Sequence, residues 1–354
     1  MKVLAINSSA RVGVQSKTEL MLSHLVQGMR EAGATVEVVN LHKKKVNYCV
    51  GCFSCWTKTP GKCIHKDDMT LEIYPKLLAC DLLVLATPLY HYTVNAKLKA
   101  FIERTLPNAL PFLEQKEGVT GHPIRHEIPS VAVISVAGFP EQSVFEPLSS
   151  YVRFLYGEKL AAEIYRTSAE AMEESGGSRK TDDILKATVQ GGRELVEGMA
   201  ISSPTMARII QPLMDTEALS SIANIFWQTC IDEGVTPKEF KERGMVPRPD
   251  SIKTFMAVMK MAFNSEKAVN FRGVMQFTFF DDVKGECFFT IRDGSFRAEE
   301  GVAENPDVQI EAPFDVWMDI VTGKADGQKK FMEQKYKAVG DFSILMGMGE
   351  IFGK

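Results

Sequence analysis

Residues 1–41 restrict the fold more than any other part of the chain. Lys2 to Ile6 is a short apolar run and reads as a buried parallel strand. Asn7 to Thr18, NSSARVGVQSKT, is polar. Glu19 to Ala32 then sets Leu20, Leu22, Leu25, Val26 and Met29 at helical spacing, and Gly33 is placed to end that helix. Thr35 to Leu41 reads as a second strand. Strand, polar loop, helix and strand in this order predict a βαβ unit, which commits the chain to a parallel sheet covered by helices.

The pattern continues. A helix is expected over Thr70 to Ala79, a strand over Asp81 to Ala86 and a helix over Val94 to Arg104. Residues 106–128 read as an excursion. Val131 to Val136 and Ala161 to Tyr165 complete the set, the latter as an edge strand. Together they predict a flavodoxin-like, doubly wound, five-stranded parallel α/β sheet. Helices over Asp182 to Met199 and Thr205 to Glu233 follow, and Thr236 to Asp250, charged and rich in proline, reads as a linker.

Beyond that linker the pattern changes. Ser251 to Phe263 is an amphipathic helix, and Gly273 to Phe280 and Glu286 to Arg292 are aromatic-rich strands. Asp293-Gly294 is a two-residue hairpin signal, Asp307 to Glu311 a further strand, Pro313 a helix N1 proline, and Tyr336 to Leu345 a last strand. Strands and helices without βαβ alternation predict a separate α+β domain. The expected organisation is therefore 1–200 flavodoxin-like domain, 201–250 helical connector and linker, and 251–354 second domain. A length of 354 residues suits two domains, and a net charge of −4 offers nothing to a nucleic acid. No apolar run reaches the roughly 20 residues of a spanning helix, and MKVLAINSSA turns polar too soon for a signal peptide. A cytoplasmic protein is expected.

Three stretches carry chemistry. Cys49, Cys52, Cys55 and Cys63 lie in one short loop as C-x2-C-x2-C-x7-C, with Gly51, Pro60 and Gly61 to turn it. Thiolates converging there suit an iron–sulfur cluster or a structural zinc. Ordinary reduced cysteines are the plain alternative, and disulfides are disfavoured in the cytosol. Cys80, before a strand, reads as a buried structural thiol.

The second stretch is the polar loop ahead of the first helix, where free N–H groups and the dipole favour an anion. Ser8, Ser9, Ser16 and Thr18 supply hydroxyls, and Arg11 and Lys17 supply charge. Neither a G-x-G-x-x-G fingerprint nor a G-x4-G-K-[ST] loop occurs, so a monophosphate such as that of FMN fits better than a dinucleotide or a nucleoside triphosphate. The third is TPLYHY, Thr87 to Tyr92, at the carboxyl end of a strand, where open α/β sheets bind ligands. Ser135 to Phe139 ends the next strand, with Gly138 allowing close backbone approach.

SSAR followed by SKTE, the cysteine run ending in Asp67-Asp68-Met69, and TPLYHY occur in the order and spacing of one family. In these motifs the chain resembles NAD(P)H-dependent FMN reductases, and within them the iron–sulfur flavoproteins, over roughly residues 1–200. The resemblance implies that Ser9, Arg11, Ser16, Lys17 and Thr18 hold the FMN phosphate. It implies that Pro88, Leu89, Tyr90, His91 and Tyr92 border the isoalloxazine ring, and that Ala137 and Gly138 close its other side. It also implies that Cys49, Cys52, Cys55 and Cys63 ligate a 4Fe–4S cluster, and that the protein is a homo-oligomer. The C-terminal part, on FFTIRDG (Phe288 to Gly294), Asn305-Pro306-Asp307-Val308 and the stretch from Gly323-Lys324 to Gly340-Asp341, resembles the sterol carrier protein type 2 domain. This implies an apolar tunnel for a lipid or other hydrophobic molecule, with Phe255, Met259, Phe279, Phe289, Trp317, Phe331, Met346 and Met348 as candidate lining or core.

The expected function is an FMN-dependent oxidoreductase that takes a hydride from NAD(P)H and passes electrons to a hydrophobic acceptor such as a quinone, or to a redox protein. Hydride transfer at the flavin needs no protein acid or base, so no catalytic side chain is assigned; Tyr90 and His91 are the nearest candidates as donors. Three competing readings are a ferredoxin-linked electron carrier without small-molecule turnover, a lipid-binding or sensing protein whose flavin domain reports redox state, and a zinc-stabilised flavoprotein.

Overall fold

A computed structural model describes residues 1–11, 13–116, 118–172 and 179–352. The chain divides into two compact units, Met1–Asp215 and Thr216–Lys354.

In the first unit, β1 (Lys2–Asn7) leads through the polar loop to α1 (Lys17–Glu31) and β2 (Thr35–Asn40). Ser16 N-caps α1, its hydroxyl accepting from Glu19 N, and Gly33, at φ +86°, follows the C-cap. The cysteine loop comes next and ends in a short π-helical turn, Met69–Ile73, that runs into α2 (Tyr74–Ala79). The predicted helix over 70–79 is thus present, but its first turn is π-helical, wider and less tightly wound than an α-turn. β3 (Leu82–Pro88) and α3 (Ala96–Glu103) follow. The excursion contains a hairpin of β4 (Glu114–Lys116) and β5 (Val119–Gly121). β6 (Ser130–Val136), α4 (Glu146–Tyr156), β7 (Leu160–Arg166), α5 (Arg179–Gly198) and α6 (Ser203–Ile210) complete the unit.

Five strands pair in the order β2-β1-β3-β6-β7, and all their pairings are parallel. Numbered along the sheet alone this is 2-1-3-4-5, the flavodoxin-like order. Alternate strand residues feed two apolar layers. Val3, Ala5, Leu82, Val84, Ala132 and Ile134 pack under α1 and α5, whereas Leu4, Ile6, Leu83, Leu85, Val131 and Val133 pack under α2, α3 and α4. Cys80 donates to Leu77 O, and burial pushes its thiol up to about 11, as befits a structural residue.

Helices α1 and α5 touch backbone to backbone. A Cβ on Gly28 would lie 1.8 Å from Val189 O, and one on Gly192 would lie 2.1 Å from Leu25 O. Overpacking against side chains costs about 1–3 kcal/mol. Here the obstacle is a carbonyl, so the upper end applies, offset by the roughly 1 kcal/mol that alanine gains over glycine in a helix. Gly192→Ala is expected to destabilise the unit by about 2 kcal/mol, read as a lower urea midpoint with an unchanged slope.

In the second unit, α7 (Thr216–Asp232) and α8 (Pro237–Glu242) precede α9 (Ile252–Ala262). The single helix expected over 205–233 is instead two, α6 and α7. They part around Pro212, whose ring and missing N–H end a helix. The segment read as a linker, 236–250, carries α8 and its capping box of Thr236 and Glu239. Then come β8 (Arg272–Phe280), β9 (Gly285–Arg292) and β10 (Ser295–Glu300). Asp293 and Gly294 turn between the last two at φ +51° and +73°, the type I′ geometry their sequence signals. β11 (Val308–Pro313), α10 (Phe314–Val321), α11 (Gly327–Met332), β12 (Lys337–Gly340) and α12 (Phe342–Ile351) end the unit. Pro313 closes β11 and sits one position before the helix start it was expected to occupy. The last strand is shorter than expected, because Asp341 caps α12 by accepting from Ser343 N.

The sheet order is β10-β9-β8-β11-β12, with β8 and β11 parallel. Phe255, Phe277, Phe279 and Phe289 meet ring on ring at centroid distances of 4.8–6.0 Å. Of the candidate tunnel residues, Phe255, Met259, Phe279, Phe289 and Trp317 lie in this core and Met348 packs on it, while Phe331 and Met346 are exposed. No helix of the described residues is long and apolar enough to cross a membrane.

Candidate functional site

Two cavities open on the first unit, and they share no lining residue. The larger is an open cleft of about 460 Å³ at the carboxyl ends of β1, β3 and β6. Ser9, Arg11, Ser16, Lys17 and Thr18 form one wall, and Pro88, Leu89, Tyr90, Ala137 and Gly138 contribute the rest, with Val136, Ala169 and Glu170.

The polar wall is pre-arranged. Ser8, Ser9, Ser16 and Thr18 are buried. Ser16 Oγ donates to Ser9 Oγ at 2.8 Å, and Ser9 N donates to Asn7 Oδ1 at 3.0 Å. His42 Nε2 and Asn95 Nδ2 both reach Ser8 O, at 2.9 and 2.6 Å. The loop is thus clamped from two other elements while the start of α1 faces the cleft, where helix N–H groups lack intrahelical partners. Lys17 donates to Met172 O, and Arg11 Nη1 donates to Glu170 Oε1 at 2.7 Å. The Arg11–Glu170 pair is more than half exposed, so it is weakly held and open to competition from an entering anion.

His91 and Tyr92 do not line the cleft. They form the two-residue turn between Tyr90 and Thr93, whose N–H groups and carbonyls bond reciprocally at 3.0 and 3.1 Å. Both residues take positive φ, +46° and +62°, a conformation costly for side chains of this kind. Tyr92 stacks on Phe139 at 6.0 Å. Ala169 and Glu170 were not foreseen; their position just after β7, at the same sheet edge, was the available signal.

The second cavity is lined by all four cysteines of the loop, with Phe53, Ile64, His65, Glu103, Arg104 and Pro107 among its other residues. Turns at Gly51 and Gly61, both at positive φ, fold the loop back, and Gly61 N donates to Cys55 O at 2.9 Å. Its neck is held by two carboxylates. Asp68 Oδ2 accepts from Lys45 N at 2.7 Å. Asp67 accepts from Asn47 N at 2.8 Å, from Thr70 N at 3.1 Å and from both terminal nitrogens of Arg104 at 2.7 and 3.0 Å. Burial alone would raise the Asp67 carboxyl, but the Arg104 fork and the two N–H groups outweigh it and hold it well below the carboxylate range.

The thiols sense one another. Burial first, then negative charge at Cys63, Cys49 and Cys52, raises the Cys55 thiol, while the Ser54 N–H and hydroxyl lower that of Cys52. Among the described residues no three His, Cys, Asp or Glu side chains stand close enough to share a single metal ion. What surrounds the loop is a set of unused polar atoms, donors except that His65 Nε2 donates in only one tautomer. Trp56 Nε1, His65 Nε2, Tyr74 Oη, Arg104 Nε and Arg125 Nε are buried without a partner, five of eight such atoms in the described residues. Trp56 and His65 belong to the loop, Arg104 lines the cavity, Tyr74 interacts with Cys55, and the Arg125 side chain lies against Gly61. Such donors suit an anionic guest with several acceptor atoms, as a thiolate-ligated iron–sulfur cluster is, better than a lone cation.

Comparisons with known proteins divide the chain in the same way. The family model for NADPH-dependent FMN reductase matches residues 1–138, and that for the SCP-2 sterol transfer family matches residues 255–353. An iron–sulfur flavoprotein of Archaeoglobus fulgidus is 35% identical over 144 residues, covering 40% of this chain and 58% of that protein. Iron-sulfur flavoprotein MJ0731 of Methanocaldococcus jannaschii is 36% identical over 104 residues, covering 29% and 50%. FMN-dependent NADH:quinone oxidoreductase 2 of Pseudomonas aeruginosa is 27% identical over 130 residues, covering 34% and 63%. The chain therefore spans about half the length of the first two relatives, and its second domain lies outside the FMN reductase match.

Proposed function

We propose that the first unit binds FMN in the cleft between α1 and the β3 and β6 ends, and works as an FMN-dependent NAD(P)H oxidoreductase. The observation that carries this is the convergence of buried hydroxyls, a helix N-terminus and Lys17 on one wall of a cleft whose other walls are mostly apolar, with the Glu170 carboxylate paired to Arg11 at its edge. Ser9, Ser16 and Thr18 would donate to the phosphate, with Lys17 adjacent and Arg11 released from Glu170. Pro88, Leu89, Tyr90, Ala137 and Gly138 would border the ring, and His91 and Tyr92 would shape the turn that positions Tyr90. Bound FMN supplies the hydride and electron chemistry; the chain supplies binding, orientation and exclusion of water.

Cys49, Cys52, Cys55 and Cys63 would hold a 4Fe–4S cluster, a reading supported by the shared cavity and its unpartnered donors. The balanced reaction with a quinone is NAD(P)H + H⁺ + quinone → NAD(P)⁺ + quinol. The sterol-transfer match of residues 255–353 supports a hydrophobic acceptor or a lipid ligand, and a cluster makes a ferredoxin-like partner a natural electron donor or acceptor. We place the protein in the cytoplasm as a homo-oligomer.

The test is anaerobic purification, with the visible spectrum recorded beside iron, acid-labile sulfide and zinc. Flavin bands over a broad shoulder, with about four irons per chain as a 4Fe–4S cluster requires, are expected. Flavin without iron or sulfide would remove the cluster and leave an FMN reductase. Absence of flavin would overturn the proposal and favour the lipid-binding reading.

A further inference from the structure

The cysteine cavity has a partner that no motif announces. Arg104, the C-cap of α3, lines it, and its side chain is only 1% exposed. A guanidinium has five N–H donors, and four of them are used. Nη1 donates to Asp67 Oδ2 at 2.7 Å and to Asn47 O at 2.8 Å. Nη2 donates to Asp67 Oδ1 at 3.0 Å and to Thr70 Oγ1 at 2.8 Å. The fifth, Nε–H, is buried and makes no well-formed hydrogen bond, although the Cys63 thiol stands near enough to interact with the guanidinium. After Asp67, the acidic group that most favours the charged guanidinium is the Cys63 thiol.

A buried donor without an acceptor is costly, and this one cannot turn away. Four bonds to three residues on two segments, Asn47 and the stretch from Asp67 to Thr70, fix the guanidinium plane, and with it the direction of the Nε–H bond. Arg104 cannot lose its proton to relieve the cost. Asp67 neutralises its charge, so the pair does not act as a free cation. What remains is one oriented N–H dipole in a cavity of thiols.

We infer that Arg104 Nε–H donates a hydrogen bond to the Cys63 sulfur, or to a sulfide beside it, when the cysteines carry a cluster, and that this bond raises the cluster's reduction potential. The inference rests on the cluster reading above. Arg104 is a positioning and tuning residue, and Asp67 sets its orientation. The electrostatic sense is simple. Reduction adds negative charge to the cluster sulfurs, so a fixed donor favours the reduced form. Because a neutral pair supplies the donor, the effect is local to the sulfur that receives it.

The test uses the full chain, prepared without oxygen, with arginine labelled by ¹⁵N. Pulsed EPR of the reduced cluster in the unaltered protein is expected to show a coupling to an arginine ¹⁵N. Arg104→Lys retains a charge opposite Asp67 and removes the Nε–H. It is expected to abolish that coupling and to lower the reduced-to-oxidised ratio of the cluster at a fixed potential about tenfold, which is 59 mV for a one-electron couple. The double variant Asp67→Asn/Arg104→Gln, with neither charge, is expected to shift in the same direction. A cluster present at full iron and sulfide content, but lacking either the coupling or the shift, overturns the role of Arg104 and leaves the cluster reading standing. Absence of iron and sulfide overturns both. If neither variant retains its cluster, the coupling in the unaltered protein decides alone.

Discussion

Replacing Asp67 by alanine is expected to destabilise the first unit by about 3–5 kcal/mol, because it breaks a buried ion pair by removing one partner and leaves the other charge uncompensated. Asp67 and Arg104 are 0% and 1% exposed in their side chains. Water therefore cannot take over the role of either. The Asp67 carboxylate uses both oxygens for two guanidinium donors and two backbone N–H groups, so its loss also frees Asn47 N at the neck of the cysteine loop and leaves Thr70 N, in the π-helical turn, only its bond to Asp67 O. An exposed pair such as Lys99–Glu103 contributes far less, about 0.3–0.5 kcal/mol. Thermal and urea unfolding of Asp67→Ala and Glu103→Ala distinguish the two cases. A loss for Asp67→Ala below about 1 kcal/mol, the range of exposed pairs, would mean that the buried pair is not what holds the neck.

The same residue gives the stability a pH dependence of known sign. The Asp67 carboxyl is depressed in the folded state relative to about 3.9 in an unfolded chain. Its contribution is therefore complete above pH 4–5 and disappears as pH falls below the unfolded value towards the folded one. The unaltered protein should lose stability more steeply below pH 4 than Asp67→Asn does. Equal slopes in the two proteins would refute the assignment.

Sheet order and the gathering of the polar loop at one cleft were legible because each rests on local signals. A five-residue apolar run such as Leu82–Ala86, too short for a helix and set between helical segments, suits a buried strand, and a hydroxyl-rich loop ahead of an amphipathic helix is placed at that helix's N-terminus and so at the sheet edge. Ser16 illustrates both: its N-cap role and its place in the cleft follow from one position in sequence. Arg104 was not legible. At the end of a helix, an arginine is ordinarily explained by the helix dipole. Only the folded chain brings it to Asp67, 37 residues away in sequence. His91 and Tyr92 show the converse. Their aromatic character suggested a wall, but the reciprocal bonds between Tyr90 and Thr93 turn the chain there and take both out of the cleft lining. The α6–α7 break at Pro212 and the cap at Asp341 were both readable from residue type, yet apolar periodicity running on either side masked them.

If the proposed function holds, Cys55→Ser is expected to remove the cluster while leaving the flavin in place. Cys55 is the most buried of the four thiols at 7% exposure, and its carbonyl also holds the Gly61 turn. Serine preserves the backbone and so the turn, but a hydroxyl neither ionises near neutral pH nor suits iron as a thiolate does. Iron should fall from about four per chain, the full complement of a 4Fe–4S cluster, to well below one. The cleft proposed for FMN draws no residue from the cysteine cavity, and the loop's neck is held by Asp67 and Asp68 independently of any metal. FMN content and NAD(P)H-dependent reduction of a two-electron quinone should therefore persist within about twofold, inside the fraction of a kcal/mol that separates uncoupled sites, whereas reduction of a one-electron protein acceptor should collapse. Loss of flavin together with iron would show that the two cavities are coupled and that the loop has to be metal-filled for the unit to hold FMN. Retention of both iron and sulfide would mean that three thiols suffice and that Cys55 is not a ligand. The two acceptors thus separate the contribution of the cysteine loop from that of the flavin cleft within one variant.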